Sequence, residues 1–273
     1  MFDLEIPSQR DSRLYHGFTS LGYGVINAPE TWVYLEPNHH SPRQSQYTYG
    51  EPVRILQQLG TFLYTQSLRD DYCGWVSQSA LSLQTNPPHT ATHRTIAIAP
   101  VTQKANLKSP IITVLPQDSW LSPDEWQDGY AYVSGLGWLD GRHLEALDTV
   151  SSIEQSALEQ LGRSYVWGGR GLAGLDCSAL AQWCYLRAGY LIPRDSDLQA
   201  LYLKTHHKSI SLDTLQAGDL LFTKGHVMVA YSNQEIIHAS GHHMKVVREH
   251  LEEASKRMQT QQGNAFYLHA YRW

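Results

Sequence analysis

Cysteine is scarce in this chain: three residues, Cys73, Cys177 and Cys184, in 273 positions. A small, odd set in a chain of this size does not read as a disulfide framework, so a reducing compartment is the expected setting. Charge is also thin. Only 17% of residues are charged, and the net charge is −5. Without clustered Lys and Arg to neutralise phosphates, nucleic acid is not expected as a partner. Long apolar runs are missing too, since no stretch approaches the roughly 18 apolar residues of a membrane span. The opening MFDLEIPSQRDSRLY puts acids where a signal peptide carries positive charge, and it has no apolar core. The expectation is a cytoplasmic protein with no membrane partner.

What the chain does have is a 42% hydrophobic content, 16 Tyr and 8 Trp, enough for a core and for aromatic-lined clefts. Up to about residue 86, short apolar runs such as TWVYLEP, TFLYTQSL and CGWVSQSAL alternate with turn residues. Runs this short, rich in Val, Ile, Tyr and Trp, predict the strands of a small β barrel. QTNPPHTATH reads as a linker, and residues 87–150 form a second strand-rich stretch. GWVSQSAL and GWLDGRHL close the two stretches alike, a weak internal repeat that predicts two copies of one barrel.

Residues 151–273 change character. SSIEQSALEQLG predicts a helix with a capping box of Ser151 and Glu154. A second helix is expected to begin near Cys177 and to end at Gly189. Strands then dominate in DLLFT, HVMVAY, EIIHAS, KVVRE and AFYLHAYRW. This region is α+β, helices first and an antiparallel sheet after.

A thiol at a helix start has two readings. The positive end of the helix makes it more acidic and more nucleophilic, or it is simply a packed cysteine. A nucleophile needs a base, and the base needs an orienting partner. Strand alternation places His226, Met228 and Ala230 on one face, and Ile236 and His238 on one face of the next strand. If the intervening SNQ turn centres on Asn233, Met228 faces His238 and the two histidines become diagonal neighbours. Among other candidates, adjacent histidines at 39–40, 206–207 and 242–243 point to opposite faces of a strand, so no metal site is expected. Cys184 is expected in the core and Cys73 half-buried. LEEASKRMQTQQ reads as a solvated helix or loop.

The motifs YVWGG, LDCSAL, IPRDSDLQ, AGDLLF, GHVMVAY and IIHAS, in that order, resemble those of the NlpC-type peptidases, papain-like cysteine peptidases of the cell wall. Ala179 stands where the family has a glycine, and Met228 and Val229 where it has a glycine in the histidine strand. The resemblance implies Cys177 as nucleophile, His226 as general base and His238 as its orienting residue. It also implies that the Tyr165 hydroxyl and the Cys177 N–H stabilise the oxyanion, with no metal or organic cofactor. The two N-terminal stretches resemble bacterial SH3-like domains. Members so arranged cut γ-D-glutamyl–diamino acid bonds in murein peptides with a free N-terminal L-Ala. By that resemblance Glu51, Tyr72, Asp176, Ser178 and Ser196 contact the substrate and its ammonium, in a monomer that recycles wall peptides. The alternatives are a hydrolase of intact peptidoglycan, one exported as an effector, or a non-catalytic wall-binding protein.

Overall fold

The computed structural model describes residues 13–14, 17, 19–89 and 91–273. Most of the N-terminal segment read above for a leader therefore lies outside the described residues. The chain divides into two compact units. One holds the described residues up to Thr149 together with Arg170–Leu172, and the other holds Val150–Gly169 and Ala173–Trp273.

In the first unit, seven strands form one antiparallel sheet. They are β1 (Gly22–Ile26), β2 (Glu30–Tyr34), β3 (Arg43–Thr48) and β4 (Pro52–Leu59), then β5 (Phe62–Ser67), β6 (Cys73–Ser77) and β7 (Leu81–Gln84). Their order is β3-β2-β6-β5-β4-β1-β7. Ile26, Val33, Tyr47, Val53, Leu63, Val76 and Leu81, one from each strand, fill its core. Cys73 is fully buried rather than half-buried, because it pairs with Gln66 in the ladder and packs with Leu56, Tyr64 and Trp75. Eight shorter strands follow: β8 (His93–Thr95), β9 (Ala99–Thr102), β10 (Ile111–Leu115) and β11 (Trp120–Leu121), then β12 (Glu125–Gln127), β13 (Tyr130–Val133), β14 (Gly137–Asp140) and β15 (Leu144–Ala146). They make a five-stranded and a three-stranded sheet around one core of Ala99, Val101, Leu115, Leu121, Val133 and Leu139.

The two GW segments fold alike. In each, a strand (β6 or β14) runs into one turn of 3₁₀ helix, Gln78–Ala80 or Gly141–His143, and the leucine of the repeat opens the next strand. Both strand-rich stretches lie in this single unit. The Trp120 N–H donates to the Tyr49 carbonyl and the Thr48 hydroxyl donates to the Asp118 carbonyl.

The second unit begins with α1 (Ile153–Leu158). Its cap is Ser152, whose hydroxyl accepts from the Gln155 N–H, one residue later than the capping box expected at Ser151. Ser151 instead spends its N–H on the Arg187 carbonyl. Helices α2 (Cys177–Arg187) and α3 (Ser196–His206) follow. Next come β16 (Lys208–Ile210), β17 (Leu220–Thr223), β18 (His226–Ala230), β19 (Glu235–Ser240), β20 (Lys245–His250), α4 (Leu251–Gln262) and β21 (His269–Arg272). The sheet is antiparallel in the order β16-β21-β17-β18-β19-β20. Helix α2 packs on β18 and β19. Helix α4 is largely solvent-facing, as its charges suggest, but two of its residues turn inward. Ala254 and Met258 are buried with Met228, Ala230 and Ile236, because they fall one turn apart on its otherwise polar surface.

Candidate active site

Cys177 is the first residue of α2. Asp176 caps that helix, its Oδ1 accepting from the Ala179 N–H at 2.8 Å. The glycine-rich loop ahead of it folds back tightly. Asp176 Oδ2 accepts from the Gly168 N–H at 3.0 Å. A side chain at Gly174 would collide with the Ser164 carbonyl, so the loop needs a bare backbone there. The fully buried Arg194 locks the arrangement, donating to Asp176 Oδ1 at 3.0 Å, to Asp176 Oδ2 at 2.8 Å and to the Ser178 hydroxyl at 2.7 Å. Both oxygens of Asp176 are therefore engaged within this unit.

The sulfur of Cys177 lies against β18, where the Val227 N–H is placed to donate to it. Burial pushes the Cys177 thiol up to about 12, with the Asp176 charge adding to it, while Val227, Arg194 and the Ser178 N–H pull the other way. A helix N-terminus contributes about 1 kcal/mol, less than one pH unit of acidity. Burial wins, and the resting thiol is neutral. His226 is likewise neutral: burial drives it down to about 3, and the neighbouring His238 and Arg257 act in the same sense. His238 is also lowered by burial, against the pull of Glu249.

The two histidines meet as the hairpin register predicts. Val229 pairs with Ile237 and Ala230 with Ile236, which centres the turn on Asn233. His226 Nε2 lies 2.7 Å from His238 Nδ1. Beyond it, His238 Nε2 lies 2.6 Å from Glu249 Oε1, and Arg257 of α4 holds that carboxylate at 2.5 and 2.9 Å. Tyr165 is tied in by its N–H to the Met244 carbonyl, with its ring over Gly241. Burial, with the Asp176 charge adding to it, raises its phenol, which stays a hydrogen-bond donor. Ser196 opens α3 two residues after Arg194.

The first unit contains a separate buried ionic cluster. Glu51 is 1% exposed, accepts from the Ser67 hydroxyl at 2.7 Å, and lies 3.2 Å from the Arg170 guanidinium. Burial raises its carboxyl, while Arg170 and Arg69 offset part of that rise. Asp118 pairs with Arg69 and lies 3.8 Å from Arg170. Tyr72 sits at the same end of β5, its carbonyl accepting from the Ser67 N–H and from the Tyr47 hydroxyl.

Residues 162–264 match the NlpC/P60 family, and residues 33–81 match the bacterial dipeptidyl-peptidase SH3 domain. The chain carries an NlpC/P60 domain. It is 27% identical over 239 residues to dipeptidyl-peptidase 6 of Lysinibacillus sphaericus, covering 79% of this chain and 87% of that protein. It is 30% identical over 199 residues to the γ-D-glutamyl-L-lysine dipeptidyl-peptidase of Bacillus subtilis, covering 66% of this chain and 63% of that one. An NlpC/P60 family protein from Bacillus cereus superposes with a TM-score of 0.74 at 17% identity, over 92% of this chain and 99% of that one, a likeness of fold. These matches give the chain an NlpC/P60 domain, the domain of a cell-wall peptidase family, preceded by an SH3-like domain in an α+β fold.

Within the NlpC/P60 domain, Tyr165, Cys177, Asp176 and Ser178 form one group, and His226 and His238 form a second on β18 and β19, the strands on which α2 packs. Glu51 and Tyr72 come together at Ser67 in the other unit. Three residues escaped the sequence reading: Arg194, Glu249 and Arg257. Arg194 was visible within IPRDSDLQ, and Glu249 shares a sheet face with His238 once the β19–β20 register is known. Among the described residues, no group of three His, Cys, Asp or Glu is placed to hold a metal ion. His39 packs on Tyr34 and Phe62, and His207 stacks on Trp273.

Proposed function

We propose that this protein is a cysteine endopeptidase that hydrolyses the γ-D-glutamyl–diamino acid bond of murein peptides with a free N-terminal L-Ala. The observation that carries the reading is a helix-start thiol facing the Val227 N–H of β18, the strand that opens on His226, whose imidazole joins His238 at 2.7 Å. Cys177 Sγ attacks the γ-carbonyl carbon as its proton passes to His226, and the Tyr165 hydroxyl and the Cys177 N–H receive the oxyanion. The imidazolium returns that proton to the departing diamino acid nitrogen, leaving an L-Ala-γ-D-Glu thioester. Water, deprotonated by His226, then releases the dipeptide and restores the thiol.

The name of the Bacillus subtilis relative supports the bond chosen. Glu51 supports the free amine. It is a buried acid set beside the Ser67 hydroxyl and the Arg170 guanidinium, the kind of group that would receive an ammonium in place of water. Tyr72 and Ser196 are proposed substrate contacts. Asp176 and Ser178 would share an ammonium with Arg194, which already holds them. A peptide with a free L-Ala has lost its sugar, which fits recycling in the cytoplasm by a monomer.

The test is product analysis by mass spectrometry with L-Ala-γ-D-Glu-diaminopimelate and its N-acetylated form. Cleavage of the first alone, lost in Cys177→Ala and weakened in Glu51→Gln, is expected. Equal cleavage of both peptides would remove the free-amine specificity, and cleavage of neither would remove the substrate.

A further inference from the structure

His238 is held from two sides, and the far side has chemical consequences. Its Nδ1 faces His226 Nε2 at 2.7 Å, and its Nε2 faces Glu249 Oε1 at 2.6 Å. Glu249 is an ionised carboxylate. Burial alone would raise it, but the hydrogen bonds from His238 and Arg257 hold it well below its ordinary range. A carboxylate only accepts, so the proton of the 2.6 Å contact belongs to His238 Nε2. A neutral imidazole carries one proton, which leaves the Nδ1 lone pair of His238 facing His226. His226 must then donate from Nε2, and its own Nδ1 is left bare. That bare nitrogen is the one able to take the thiol proton.

We propose that Glu249, anchored by Arg257, is a positioning residue that fixes the tautomer of His238 and, through it, that of His226. The inference rests on the peptidase reading for its purpose, and on the hydrogen-bonded line from Arg257 through Glu249 and His238 to His226 for its chemistry. Without the carboxylate, His238 is free to carry its proton on Nδ1. His226 Nε2 would then have to accept, its proton would move to Nδ1, and the imidazole would present a donor to the sulfur where a base is needed. Arg257 keeps Glu249 in place with two charge-assisted bonds, 2.9 Å to Oε2 and 2.5 Å to Oε1. It also offsets the carboxylate's pull on a proton, so that His238 stays neutral rather than becoming an imidazolium that would repel a charged His226. The charged and titratable groups facing this line are His226 on β18, Glu249 on β20, Arg257 on α4 and His243 in the β19–β20 loop, whose Nε2 is 3.7 Å from Glu249 Oε2. The burial of Ala254 and Met258 explains how a helix so rich in charge presents Arg257 at this spot.

The experiment uses the full chain with ¹⁵N-labelled histidine, resonances being assigned with His226→Gln and His238→Gln. In the native protein at neutral pH, both histidines are expected to be protonated at Nε2 and bare at Nδ1. Protonation of His238 at Nδ1 in the native protein overturns the proposal with no variant needed. The variants are Glu249→Leu, the pair Glu249→Leu with Arg257→Leu, which leaves no unpartnered cation, and the near-isosteric Glu249→Gln. Lys256→Ala on the exposed face of α4 is the control. Alkylation of Cys177 by iodoacetamide, read site by site by mass spectrometry from pH 5 to 9, reports the base without any peptide. A carboxylate bonded directly to a catalytic histidine is worth about 10⁴ in a serine triad. One residue further out, a loss of about 10- to 100-fold in alkylation rate and in kcat is expected for the leucine variants, with KM little changed and a mixed tautomer at His238. Glu249→Gln, which keeps an acceptor oxygen, should recover part of that rate. Folded variants with native tautomers and rates within about twofold of native overturn the proposal. If the native protein cleaves no murein peptide, the proposed function fails, and the tautomers and alkylation rates still decide the role of Glu249.

Discussion

Replacing Arg194 by Met removes a cation that is fully buried and that spends three hydrogen bonds on Asp176 and Ser178. Methionine fills much of the volume, so the cost is electrostatic rather than a cavity. What remains is a carboxylate only 7% exposed, with its cation gone. Breaking one side of a buried pair costs about 3–5 kcal/mol, against a total stability of about 5–15 kcal/mol for a domain. For a domain of this size the expected fall in Tm is roughly 10–20 °C. The assay is thermal unfolding of Arg194→Met, Asp176→Asn and the double variant, followed by circular dichroism. Because the two groups touch, the double variant should be more stable than the sum of the single effects predicts, by about 1–3 kcal/mol. A cost below about 1 kcal/mol for Arg194→Met, or strict additivity, would refute the claim that this ion pair holds the nucleophile loop.

Acid should unfold the NlpC/P60 domain through His226. Its pKa is lowered from 6.5 to about 3, so the unfolded chain takes up the proton first. The stability it confers is complete above pH 6.5 and declines as pH falls toward 3, at about 1.4 kcal/mol per pH unit. Glu249, also lowered, adds to the loss at more acid pH. Urea midpoints at pH 7, 5.5 and 4.5 check this, and an unchanged pH slope in His226→Gln would contradict it. With its thiol pushed up to about 12, Cys177 in the substrate-free protein should alkylate more slowly at pH 7 than free cysteine, with a rate still rising at pH 9. A plateau below pH 7 would contradict that. Tyr165→Phe should lower kcat by about 10²- to 10³-fold at most, with KM nearly unchanged, if its hydroxyl donates to the oxyanion.

The parts of the molecule legible in the sequence are those governed by short-range rules. Alternation in HVMVAY and EIIHAS, with a short polar turn between them, was enough to place His226 diagonal to His238. The GW repeat predicts two copies of one barrel, and its two segments do share a strand, 3₁₀ turn and strand that the repeat itself does not specify. What escaped depends on distant pairing. Glu249 reaches His238 only through the β19–β20 register, and Arg257 reaches Glu249 only because α4 buries Ala254 and Met258. Asp176 illustrates the same limit, since its role as a helix cap is local while its bond to Arg194 spans a loop and a helix. Cys73 is expected half-buried, yet the sheet packs it among Leu56, Tyr64 and Trp75, two of which are distant in sequence.

The claim that Cys177 forms a thioester is tested most directly by trapping it. The protein would be mixed with excess L-Ala-γ-D-Glu-diaminopimelate, quenched in acid within milliseconds, digested and mapped by mass spectrometry. The account predicts an L-Ala-γ-D-Glu adduct on the peptide containing Cys177, absent from Cys177→Ala and labile to hydroxylamine. Turnover with no adduct on any cysteine, or turnover persisting in Cys177→Ala, would contradict it.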